Sequence, residues 1–258
     1  MINKIIILPL AILLSTNVAY GEELPITLST NLENVVFDGI WSYQTEWKPS
    51  SLTQVKSDNS NFVIRYAHDY ENLLILVSVV SDTTPSRISD KALVCIDSKN
   101  NGGNMPQKDD YCFVAKLGSS MPTTLQGGGF NAVQGHYQTI ENHPKLIAVG
   151  GISGEWDRYS KIPHSSYEFK IPLEIIGKSN TYGIFIAIHD AESGNYFGWP
   201  SDVKMEKYPF IPEPNKWGLL ISPDKSIPEF NLPFLILFPT IAFVIIFSNF
   251  FSKKFSSF

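Results

Sequence analysis

The sequence predicts an all-β protein, an antiparallel β-sandwich of jelly-roll-like form set between an N-terminal signal peptide and a C-terminal transmembrane helix. Three observations point there. Short apolar runs recur between loops rich in Gly, Asn and Pro, which is the pattern of paired strands, because those loop residues tolerate the dihedrals a chain reversal needs. No amphipathic helical stretch exceeds about two turns. The crossover helices that a parallel sheet requires are missing from the pattern.

Both ends of the 258-residue chain are apolar. Met1 to Gly21 has one basic residue, Lys4, then Ile5 to Leu14 as an apolar core and Ala19-Tyr20-Gly21 as a cleavage pattern, which together read as a secretory signal. Leu232 to Phe251 holds no charged residue and has the roughly 20-residue length of a helix that crosses a bilayer. Lys253 and Lys254 behind it set the tail inside and the rest of the chain outside. The expected plan is a signal peptide over 1–21, a sandwich over 22–222, a linker over 223–231, a transmembrane helix over 232–251 and a cytoplasmic tail over 252–258. That plan places the protein in the cell membrane as a single-pass chain with an extracellular main domain. A formal net charge of −5, with no lysine-arginine run, argues against a nucleic-acid partner or an anionic-lipid face.

The elements follow in order. Val35 to Phe37 is expected as a short edge strand closed by the reversal Asp38-Gly39. Phe62 to Tyr66 is the next strand, and Leu73 to Ser81, apolar at nearly every position, is a central strand covered on both faces. Leu146 to Val149 adds another. Tyr167 to Ile171 alternates, with Glu168 and Lys170 on an expected wet face. Pro172 to Gly177 looks like one helical turn closed by glycine, Tyr182 to His189 is strongly apolar, and Trp217 to Ser222 closes the series.

Val94 to Phe113 reads as a hairpin with an acidic tip. Each arm carries one of the two cysteines, Cys95 and Cys112. In an exported segment they could face each other and oxidise, or remain a buried free pair. Asp97, Asn101, Asp109 and Asp110 offer the oxygen ligands that calcium prefers, although outside the EF-hand register. A solvated acidic turn is the alternative.

Catalysis finds little support. The histidines at 68, 136, 143, 164 and 189 have no metalloprotease spacing, and no serine sits in a Gly-x-Ser-x-Gly elbow. Tryptophans are more telling. Trp156 and Trp199 sit in loops rich in Gly, Asn and Asp, with Tyr196 and Phe197 beside the latter. Aromatic faces in such a setting can stack on a sugar ring while nearby amides and carboxylates accept its hydroxyl hydrogens. Trp41, Trp47 and Trp217 flank strands and are expected in the core.

The order of these pieces resembles family 9 carbohydrate-binding modules. It runs from Asp38-Gly39 with Trp47 through Leu73 to Ser81 followed by Asp82, Ile96-Asp97 with its Gly-Gly and Asp-Asp-Tyr loop, and Tyr167 to Leu173, to Ile188-His189-Asp190. The resemblance spans most of Val35 to Ile221. It implies a β-sandwich, non-catalytic binding of a carbohydrate or glycan between two tryptophan faces, and structural calcium. Trp199 and Trp156 would be the sandwiching aromatics, and Asp97, Asp109 and Asp110 the calcium ligands. Ile227-Pro228-Glu229-Phe230 ahead of the apolar segment resembles the Pro-Glu-Phe-Gly sorting signal of archaeal surface proteins, with Asn231 in place of the glycine. A membrane-anchored carbohydrate-binding module is therefore the leading expectation. The alternatives are a structural or adhesive envelope protein without a small-molecule site, and a haem-binding relative using His68, His136 or Met105.

Overall fold

The computed structural model describes residues 22–57, 60–222 and 227. The expected signal peptide, the expected transmembrane helix over 232–251 and the expected sorting signal lie outside these residues, except for Ile227. Among the described residues no helix is long and apolar enough to cross a membrane.

Among the described residues thirteen strands and one short α-helix carry the fold. In chain order the strands are β1 (Glu23–Pro25), β2 (Ser51–Ser57), β3 (Ser60–His68), β4 (Asn72–Val79), β5 (Lys91–Asp97), β6 (Asp110–Lys116), β7 (Thr123–Gln126), β8 (Gln138–Ile140), β9 (Ile147–Ser153), β10 (His164–Pro172), β11 (Thr181–Asp190), β12 (Asn195–Trp199) and β13 (Gly218–Ile221). The helix α1 (Leu173–Ile176) is a single turn closed by Gly177, whose φ of 73° lies in the left-handed region that glycine tolerates.

Two sheets form the sandwich. One runs β1-β13-β11-β5-β6-β7-β8 with β12 also paired to β11, and the other runs β2-β3-β4-β10-β9. The pairing is antiparallel except that β1 lies parallel to β13, so the first sheet is mixed rather than purely antiparallel. Alternation along β5 explains the layering. Ala92, Val94 and Ile96 point into the core between the sheets, while Leu93 and Cys95 point to the outer face.

That outer face is covered as well. Tyr137, Met205 and Trp217 pack over it, and Cys95 and Cys112, opposite each other in the β5–β6 ladder, are joined there by a disulfide. The far side of the second sheet is covered in turn by Leu32, Trp41 and Trp47 against Ala67, Leu74 and Leu76. Central strands with loops on the outside and a second sheet on the inside have no wet side, and their sequences read as continuous apolar runs.

Two expectations change here. Val35 to Phe37 forms no strand, and Val35 and Phe37 instead pack on the Trp41–Trp47 cluster. The wet face expected of β10 is dry at Glu168, which is fully buried because the segment carrying Trp47 and Gly39 folds over it.

Candidate functional site

The β2–β3 and β11–β12 turns lie at one end of the sandwich. At that end a cleft of about 830 Å³ opens between the free edge of β12, the tips of β2 and β3, and residues 201–206. Tyr196 and Phe197 supply aromatic surface on opposite sides of β12, since adjacent residues of a strand face opposite ways. Phe197 packs on Phe62 at 6.0 Å. The Tyr196 ring lies 4.4 Å from that of His189, and its hydroxyl accepts the N–H of Tyr208.

Polar groups rim the same space. Ser57, Ser60, Asp190, Ser193, Asn195, Ser201, Lys204 and Glu206 line it. Asp190 is fixed by the N–H groups of Glu192 and Ser193 and by the Ser193 hydroxyl. Aromatic surface beside hydroxyl, amide and carboxylate groups can stack on a ring and bind its hydroxyls at once.

The structure separates the expected site residues. Tyr196 lines the cleft. Trp199 does not, and its expected stacking role is corrected: at 2 % exposed it lies in the core, where its ring fits against the Cα of Gly218, a position at which any β-carbon would collide with it. Trp156 is 52 % exposed, in the loop between β9 and β10. β9 is the opposite edge of its sheet from β2, so Trp156 shares an end with the cleft but not an edge. The two tryptophans do not converge. Phe197, Asn195 and Asp190 gain importance instead, and their signal in the sequence is the polar-aromatic run Asp190 to Trp199.

At the other end of the sandwich, oxygens of Asp97, Asp109 and Asp110 lie within 4.8 Å of one another. Asp97 accepts the N–H groups of Lys99 and Gly102, and Asp110 accepts that of Gln107 at 2.6 Å. The second oxygen of Asp110, Oδ1, is buried and has no hydrogen-bond partner. Burial first, and then the Asp97 and Asp109 charges, push the Asp110 carboxyl up to about 7 against the pull of the Gln107 N–H. A buried carboxylate with a bare oxygen among two others fits a hard cation. Asn101 turns its amide nitrogen to Asp109 at 3.1 Å.

One further constellation escapes sequence reasoning. Ser78, Asp157 and His164, from β4, the β9–β10 loop and β10, meet in the interior, all of them fully buried. Their geometry is structural, not catalytic. Both Ser78 Oγ, at 2.8 Å, and Asp157 Oδ2, at 3.3 Å, meet the same ring nitrogen, Nε2, while Nδ1 faces the Ile162 carbonyl at 2.7 Å. A serine triad needs the carboxylate on one nitrogen and the hydroxyl on the other, with access to substrate.

No protein-family model matches the chain, and no curated protein does. The chain is similar to two solved structures of a carbohydrate binding module family 9 from Caldicellulosiruptor kristjanssonii, one in complex with cellotriose and one with glucose. They are 12% and 13% identical to it, cover 81% of this chain and 100% of their own, and superpose with TM-scores of 0.48 and 0.46.

The histidines and the methionine considered for haem are dispersed. His68 ends β3, fully buried beside Tyr70, whereas His136 faces the Gly129 carbonyl in the loop before β8 and Met105 is exposed in the acidic loop.

Proposed function

We propose that the protein is a non-catalytic carbohydrate-binding domain displayed outside the cell, and that the cleft along β12 holds the saccharide. The observation that carries the proposal is the joint presence there of the Tyr196 and Phe197 rings and the polar rim of Asp190, Asn195 and Glu206. Trp156, exposed in the β9–β10 loop, is separate from the cleft and takes no part in holding this saccharide. Calcium at Asp97, Asp109 and Asp110 would supply charge balance for a loop that otherwise buries an unpaired carboxylate oxygen. The uncharged segment 232–251 anchors the chain in the membrane by its length and composition.

A glycan array followed by calorimetric titration with soluble oligosaccharides tests this reading. Saturable binding by the folded domain is the expected result, and failure to bind any glycan would sink the proposal. The second reading, an adhesive or structural envelope domain, gains from the separation of Trp156 and Trp199. It predicts self-association or attachment to envelope components with no sugar dependence.

A further inference from the structure

The loop between β7 and β8 carries the most exposed large apolar side chain among the described residues. Phe130 is fully exposed and Val133 is 78 % exposed. No charged residue occurs from Leu125 to Gly135 in a chain whose charged fraction is 17%. The loop is not loose. Gly127 donates to the carbonyl of Asp110 at 2.8 Å and Gly128 to that of Pro106 at 2.9 Å, while Gly135 lies against Pro209 and Phe210. Exposed Met105 and Phe210 flank it on these two supports. A braced, uncharged, apolar projection is what a soluble monomer avoids unless something covers it.

The topology says from which end of the sandwich this loop springs. β11 begins at Thr181, paired with Ile221 of β13, and Gly183 pairs with Asp97 at the end of β5. The last residues of β13, the acidic loop and the β7–β8 loop therefore share one end of the sandwich, and the sugar cleft lies at the other. Ile227 is fully buried in the core between the sheets, so the apolar segment at Leu232 begins five positions beyond a fixed point, a tether of at most roughly 18 Å. A bilayer holding that segment is therefore kept close to the sandwich.

We infer that Phe130 and Val133, with Met105 beside them, insert into the headgroup boundary of the bilayer that holds the chain's own C-terminal segment, which fixes the sandwich upright with the cleft facing away. The inference rests on the reading of residues 232–251 as a membrane span. The contact is apolar rather than electrostatic, because the chain's net charge is −5 and anionic lipid offers it no attraction.

The test uses the full chain with Phe130→Cys or, separately, Met121→Cys, each labelled with an environment-sensitive fluorophore and reconstituted in phosphatidylcholine vesicles. Cys95 and Cys112 are bonded to each other and buried, so the label goes to the new thiol. Met121, 77 % exposed in the loop between β6 and β7, reports the opposite end. The expected result at position 130 is blue-shifted emission, severalfold stronger quenching by lipid-borne spin label than at 121, and protection from aqueous iodide. Equal iodide access at the two positions in chains that float with vesicles after an alkaline wash overturns the inference and leaves the anchor intact. Chains that fail to float overturn the anchor and the inference together. Protection from iodide without lipid quenching means that a second copy covers the loop, and this too overturns it.

Discussion

The indole N–H of Trp47 donates to Glu168 Oε1 at 2.7 Å, linking residues 121 positions apart. The other carboxylate oxygen accepts the N–H of Gly39 at 2.8 Å, so one buried side chain clamps the segment 35–48 over the second sheet. Burial holds the Glu168 carboxyl well above its usual range, although both hydrogen bonds pull the other way. Glu168→Ala leaves two buried donors unpaired, at about 1–3 kcal/mol each. Chemical denaturation should show a loss of that order and earlier exposure of Trp41 and Trp47. An unchanged midpoint would mean that the clamp contributes nothing.

A pH window follows from Asp157 and His164. Burial alone would lower the His164 pKa, but its bonds to Asp157 and Ile162 and the charges of Asp157 and Asp82 raise it. Its contribution to stability is therefore full below the unfolded value of about 6.5 and is lost as pH rises through the raised folded value. Burial would raise the Asp157 pKa, but His164 and the Tyr159 N–H lower it. Its contribution is present above about 3.9 and is lost as pH falls through the lowered value. Melting temperature should decline from mildly acidic to alkaline pH, and His164→Gln should flatten that decline. A wild-type slope in the variant rules out the pair as its source.

For the acidic loop, chelation should lower the melting temperature and calcium restore it. Saturation at a hundredfold excess over Kd is worth about 2.7 kcal/mol. Asp110→Asn should abolish the response. If chelator leaves the wild-type melting curve unmoved, the loop is a solvated turn.

The Cys95–Cys112 bond closes a loop of 17 positions within one hairpin. Chain-entropy reasoning for loops of that size gives about 3 kcal/mol. Replacing both cysteines by alanine should move the denaturation midpoint accordingly, and the double variant should still fold, since the hairpin keeps its ladder.

Strands buried on both sides were the most legible part of the fold in the sequence. Leu73 to Ser81 and Tyr182 to His189 stand out because sheet and loop together leave them no polar face, and they appear as β4 and β11. The reading of Glu168 as solvent-facing failed because its partners, Gly39 and Trp47, are more than a hundred positions away and no local period reports them. The edge strands β2, β8 and β12 are short or polar and give only weak alternation. The acidic hairpin was legible because its carboxylates, Asp97, Asp109 and Asp110, all fall at the tip of one hairpin in the sequence. The cleft was legible only in the run around Tyr196 and Phe197, because the other residues around it come from turns of both sheets. Trp199 was misplaced because loop composition around it conceals a side chain directed between the sheets.

The most direct measurement is calorimetric titration of a glycan selected on an array against the wild-type domain and the exposed-site variants Asn195→Ala, Glu206→Ala and Trp156→Ala. A saccharide held in the β12 cleft predicts at least about tenfold weaker binding for the first two, the loss of about 1.4 kcal/mol, with little change for Trp156→Ala. Wild-type affinity in both cleft variants, or no glycan bound by the folded domain, would contradict it.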